Sequence, residues 1–205
     1  MVGMGTVTLK ADDSIQLEAA ANTASQHSSN KSSSASIGIS LGANTGITFS
    51  ASGAKGASSG SETSWTNSHI HAGEKLTLDS SGNTTLKGAT ASGKQVVASI
   101  AGDLTIESLQ DIATYDSQQK NWGFSLTVGP SPGASISSGK SKAAGDYASV
   151  TEQSGLFAGD EGFDVRVQGH TTLNGGVIAS SQTAIEQNKN SFETGTLAIQ
   201  DLENH

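Results

Sequence analysis

His69 and His71 stand two residues apart, so an extended strand would place both on one face, and with Glu74 nearby they offer the nitrogen and oxygen ligands that zinc takes. Asp160, Glu161 and Asp164 bring three carboxylates close together in sequence, the groups needed for an acid–base pair or a calcium site. Gly38-Ile39-Ser40-Leu41-Gly42 has the lettering of a nucleophile elbow, and Trp65 and Trp122 could stack on a sugar ring. Each has a blander reading. Gly159-Asp160-Glu161-Gly162 reads as a β-turn leading into a strand at Phe163, and Ser40 lacks the strand-to-helix context an elbow needs. Trp122 reads as the apolar start of a strand. The glycine-rich runs lack the Lys-Ser/Thr ending of a phosphate cradle, and the nonapeptide calcium repeat is absent. With no cysteine there are neither disulfides nor thiolate metal sites. A net charge of −8 with Arg166 as the single arginine argues against nucleic acid as a partner. No catalytic, cofactor-binding or metal-binding residue is therefore assigned.

The elements that would carry these residues are short strands in an internal repeat. Residues 101–129 hold two patterns of period two: Leu104-Thr105-Ile106, and the stripe Trp122, Phe124, Leu126, Val128. The first recurs as Ile15-Gln16-Leu17 and as Leu197-Ala198-Ile199; the second recurs as Ala35, Ile37, Ile39, Leu41. Gly129 minus Gly42, Phe163 minus Leu76 and Leu173 minus Leu86 are each 87. Leu104 minus Ile15 is 89, so about two residues of insertion separate strand and hairpin. The reading is one continuous β-solenoid over 1–205, with repeats at about 14–100 and 103–192 and a third beginning at 196–205. Neither zinc nor catalysis is favoured by this duplication. The positions aligned with His69 and His71 in the second repeat carry no histidine, and no carboxylate cluster occurs twice.

Along the chain, 6–10 and 14–19 read as strands about an Asp12-Asp13 turn, and 22–34 as polar connection. Residues 35–51 read as a hairpin about Gly42-Ala43-Asn44-Thr45-Gly46, with its counterpart at 122–137 turning at Gly129-Pro130-Ser131-Pro132-Gly133. Residues 109–121 read as a second polar connection, and 50–64, rich in Ser and Gly, as flexible or disordered. Short strands then follow every eight to twelve residues or so, and 182–190 is expected to make a single helical turn. Only 34% of residues are hydrophobic and 4% aromatic, which suits the thin Leu/Ile/Val/Ala core of a solenoid better than a globular core. No run of eighteen apolar residues offers a membrane-spanning helix. The start at Met1 lacks the basic and apolar regions of a signal peptide, and the chain reads as a piece excised from a longer protein.

The segments SLQDIATYDSQQKNWG, TEQSGLFAGDEGFDVRVQGHTTLNGGVIAS and ETGTLAIQDLEN resemble the distal repeat of filamentous-haemagglutinin-type exoproteins, which include two-partner-secreted adhesins and contact-dependent growth-inhibition proteins of Gram-negative bacteria. The marks are Gln153-Ser154-Gly155, Ala158-Gly159 and Gly162 in order, then Asp201-Leu202-Glu203-Asn204. The resemblance implies an all-β, right-handed parallel β-helix with protruding β-hairpins. It implies secretion through an outer-membrane two-partner transporter, a structural place in a cell-surface filament, and a part in moving a C-terminal toxin across the target-cell outer membrane. The absence of cysteine suits unfolded passage through an oxidising periplasm. Two alternatives stay open: an adhesin module gripping a receptor or glycan through its hairpins, and, more weakly, a polysaccharide-active enzyme. The interaction residues expected under the first two readings are Ile37, Ile39, Leu41, Trp122, Phe124, Leu126 and Val128, facing a target-cell outer membrane or surface receptor; the alternative is that the hairpins pack on the solenoid as lids.

Overall fold

A computed structural model describes residues 1–40 and 46–205. It is 74% strand and 3% helix, an all-β chain, and it divides into two compact units.

The first unit holds residues 1–22, 63–112 and 148–205 and is a parallel β-solenoid of five coils. Coil one is β1 (Val2–Gly3), β2 (Val7–Ala11) and β3 (Ile15–Glu18), after which the chain runs through β4 (Ala20–Ser40) and β5 (Gly46–Thr66). Coil two is β6 (Ser68–Ala72), β7 (Lys75–Ser80) and β8 (Thr84–Lys87); coil three is β9 (Ala89–Gly93), β10 (Gln95–Ile100) and β11 (Leu104–Glu107). The chain then runs through β12 (Asp111–Val128) and β13 (Gly133–Ser149). Coil four is β14 (Gly155–Ala158) and β15 (Phe163–Asn174), and coil five is β16 (Val177–Ser180), α1 (Gln182–Glu186) and β17 (Ser191–Gln200). The single helical turn expected at 182–190 is α1, whose Ser181 hydroxyl caps the Ala184 N–H.

Equivalent side chains stack in columns because every coil pairs with the next in parallel register. Leu9, Leu78, Ala98, Val165 and Phe192 form one column; Leu17, Leu86, Ile106, Leu173 and Ile199 form another; Ile70, Ala91, Leu156 and Ile178 line the third side. Strand alternation turns these inward and leaves Thr, Ser, Lys and Asp between them outside. The interior is thin, so aliphatic side chains suffice: Leu76, Leu78, Leu86, Leu104 and Ile106 are fully buried. Where threonine enters a column it brings a partner, Thr84 Oγ1 lying 2.8 Å from Ser80 Oγ and Thr171 Oγ1 2.8 Å from Thr194 Oγ1.

The second unit holds residues 23–62 and 113–147 and is a four-stranded sheet in the order β13-β12-β5-β4. Its strands are far longer than the sequence reading allowed. Residues 22–34 and 109–121 were expected to be polar connection and 50–64 flexible; instead most of them lie in β4, β12 and β5, strands of 21, 18 and 21 residues. Backbone pairing supplies what the side chains do not, and cross-strand contacts such as Ser61 Oγ to Thr114 Oγ1 at 2.7 Å tie the polar parts together. The Asn30 amide and the Trp122 ring lie over Gly56 and Gly53, so that an added Cβ there would meet them at 2.4 and 2.6 Å.

Candidate functional site

Hydroxyl pairs fix how the four long strands face. Ser36 Oγ lies 2.6 Å from Ser50 Oγ and Ser34 Oγ 2.8 Å from Ser52 Oγ, so β4 and β5 run antiparallel with Ile37 opposite Phe49 and Ile39 opposite Ile47. Thr48 Oγ1 is 3.1 Å from Thr127 Oγ1, which sets Phe49 opposite Leu126 and Ile47 opposite Val128. Ser125 Oγ is 2.7 Å from Ser135 Oγ, which sets Phe124 opposite Ile136. In this part of the sheet serine and threonine therefore line one face. Because side chains alternate, the other face gathers Ile37, Ile39, Ile47, Phe49, Trp122, Phe124, Leu126, Val128 and Ile136. All nine are exposed, from 38% at Leu126 to 83% at Ile136. A shallow hollow on this face is lined by Ile37, Phe49 and Phe124.

Six of the seven expected interaction residues are thus brought together on one surface; Leu41 lies outside the described residues. Ile47, Phe49 and Ile136 belong with them but carried no such assignment. Ile47 and Phe49 stood in the sequence as a second hairpin strand, yet their alignment with Trp122–Val128 depends on the β5–β12 pairing, which period two along one strand cannot reveal.

The groups with potential for chemistry are dispersed. His69 Nδ1 is 2.8 Å from Thr90 Oγ1 and 3.5 Å from Glu152, while His71 Nδ1 is 2.9 Å from Ser92 Oγ. Glu74 pairs with Lys94 at 2.8 Å rather than with either histidine. That bond, and the attraction behind it, raises the pKa of Lys94, as the Asp79 hydrogen bond and charge raise that of Lys10; both are exposed pairs between coils and add little stability. Asp160 accepts from the Ser181 hydroxyl at 2.7 Å, Glu161 pairs with Lys189 at 3.2 Å, and Asp164 pairs with Arg166 at 3.0 Å. The three carboxylates are engaged by three different partners. Gly159–Gly162 is a β-turn closed by the Gly162 N–H donating to the Gly159 carbonyl at 3.0 Å, with Gly162 at φ +69°. Gly38 to Ser40 lie within β4, and Leu41 and Gly42 of the elbow-like run fall outside the described residues. The Trp65 indole donates to the Gln110 carbonyl at 3.1 Å.

The motif residues turn out to build corners. The Ser108 hydroxyl donates to the Gly175 carbonyl at 2.7 Å and accepts from the Ser154 N–H at 2.8 Å, while the Ser154 hydroxyl accepts from the Ala89 N–H at 3.1 Å. Ser154 is fully buried, and a Cβ at Gly155 would stand 2.5 Å from the Val177 carbonyl oxygen. Asn204 Oδ1 accepts from the Val150 N–H at 3.0 Å, and the Gln110 amide donates to the Glu203 carbonyl at 2.7 Å. Gln-Ser-Gly and Asp-Leu-Glu-Asn are thus recognisable in sequence for reasons of coil geometry.

A solenoid whose Gln-Ser-Gly and Asp-Leu-Glu-Asn runs are spent on corners defines a structural segment. The hemagglutinin repeat family matches residues 1–124. Similar proteins include a tRNA nuclease CdiA of Yersinia mollaretii, 46% identical over all of this chain and 7% of its own length. A Toxin CdiA of Escherichia coli is 43% identical over 96% of this chain and 6% of its own, and a deoxyribonuclease CdiA of Yersinia pseudotuberculosis is 38% identical over 98% and 19%. The chain belongs to the hemagglutinin repeat family and is a structural segment of a large secreted exoprotein displayed at the bacterial cell surface. It spans about 7% of the length of the first of these relatives.

Proposed function

We propose that this segment assists delivery of a toxin across the outer membrane of a target cell, as part of a contact-dependent growth-inhibition exoprotein exported through an outer-membrane two-partner transporter. The observation that carries this reading is the amphipathic sheet. Strands with apolar residues on one face and hydroxyls on the other have the alternation of membrane β-strands, whose lipid face is apolar and whose inner face is polar. Residues 122–128 make an apolar band seven residues tall, roughly 24 Å at about 3.4 Å per residue before tilt, against about 25 Å in membrane barrels.

The segment carries no activity of its own in this reading. Relatives named for two activities, tRNA nuclease and deoxyribonuclease, share it, so activity does not track the segment. The test replaces residues 122–137 by a Gly-Asn turn in a full-length exoprotein carrying this segment. The expected result is normal surface display with target-cell killing reduced at least about tenfold. Unchanged killing with intact display would sink the proposal; loss of adhesion with delivery by adhered cells intact would move the role to receptor binding.

A further inference from the structure

We propose that the outer edges of the four-stranded sheet, β4 and the part of β13 before its Ala148–His205 backbone pair, are docking edges for the hairpins of further copies of this repeat. The inference stands on pairing geometry and does not rest on the delivery role.

The joint between the two hairpins is the precedent. Hairpin β4–β5 leaves the solenoid after coil one and hairpin β12–β13 after coil three, and the two are joined through β5 and β12. That joint is antiparallel and long, running from Thr48–Thr127 to Ser61–Thr114. By the 87-residue offset β4 answers to β12 and β5 to β13. The outer edge of β13 is therefore the equivalent of the β5 edge that β12 already occupies, and the outer edge of β4 is the equivalent of the β12 edge that β5 occupies.

Exposure points the same way. On the apolar face the inner-strand residues Phe124 and Leu126 are 41% and 38% exposed, whereas the edge residues Ile37, Ile39 and Ile136 are 71%, 73% and 83% exposed. Another strand on each edge would bring these to the inner-strand level. Natural edges are usually blunted by proline, charge or brevity. Both prolines of this chain lie at 130 and 132, outside the edge strands, and β4 and β13 are 21 and 17 residues long with one and two lysines.

Ile106 and Ile199 both stack on Leu173, so Gln200 leaves coil five where Glu107 leaves coil three. The test therefore extends the chain after Gln200 with a copy of residues 108–205 and follows backbone hydrogen exchange by mass spectrometry. Peptides from β13 are expected to exchange at least about tenfold more slowly in the extended chain, while β4 peptides are unchanged. Equal β13 exchange in both chains, with β11 and β15 protected, would overturn the proposal. A second extension with a copy of residues 19–205, which supplies the β4-type hairpin, guards against failure of the first to fold. Failure of both also counts against it, because coil five offers the next coil the same rung that coil three offers coil four. Equal slowing when the appended hairpin is replaced by a Gly-Asn turn would assign the protection to stacking of coils and overturn it too.

Discussion

Replacing Ile106 by aspartate is expected to unfold the solenoid unit rather than weaken it. Ile106 is fully buried and sits mid-column between Leu86 and Leu173, and Gly176 packs so closely on it that an added Cβ would lie 2.5 Å from Ile106 Cγ2. Truncating such a side chain costs about 2–5 kcal/mol, and an unpaired buried carboxylate adds several more. That sum is comparable with the roughly 5–15 kcal/mol that holds a whole domain together. Stacked units depend on their neighbours, so a broken coil three would also strip the rung on which coil four is laid. Ile106→Val, by contrast, should cost only about 0.5–1.5 kcal/mol. Urea unfolding followed by circular dichroism distinguishes the two; a folded Ile106→Asp chain would show that the column is not the core.

Leu126→Arg is expected to abolish function while leaving the fold alone. Leu126 is 38% exposed, so the sheet buries little of it and the substitution removes little packing. In a bilayer an arginine on the lipid face costs about 2–4 kcal/mol near the midplane, which at about 1.4 kcal/mol per decade is more than a tenfold loss of delivery. Ser125→Arg, one residue away on the hydroxyl face, should be tolerated. Killing assays on both variants, with surface display as the control, read the difference. Equal effects of the two would show that the apolar face has no special role.

Solenoid coils are legible in the sequence because their inward positions carry Leu, Ile and Val at period two and their corners carry Ser, Gly and Asn. Leu104-Thr105-Ile106 announces both its strand and its buried face. The hairpins are legible only at their tips, where Ile37, Ile39 and the Trp122–Val128 stripe alternate with polar residues. Residues 22–34 hold no apolar side chain larger than that of Ala24, so no face is marked, and the strand is held by backbone pairing that the side chains do not encode. For the same reason a Ser- and Gly-rich run at 50–64 that reads as disorder is a strand. The site itself, nine side chains on one surface, required the contact between Thr48 and Thr127, 79 residues apart in sequence. Composition carries no trace of such a pairing. The histidine and carboxylate groups were legible as residues with chemical potential, and their neighbours, Thr90, Ser92, Ser181 and Arg166, show them occupied in turns and inter-coil contacts.

Delivery as proposed brings the apolar face against lipid. The chain has no cysteine, so Leu126→Cys and Ser125→Cys each introduce one thiol into this segment, on opposite faces of β12. With an environment-sensitive dye attached in a full-length exoprotein whose other thiols are blocked, emission is recorded before and after contact with target cells. A blue shift and quenching by lipid-borne quenchers are expected at position 126 and neither at position 125. Equal responses at the two positions, or no response at 126 while killing proceeds, would contradict lipid contact by this face.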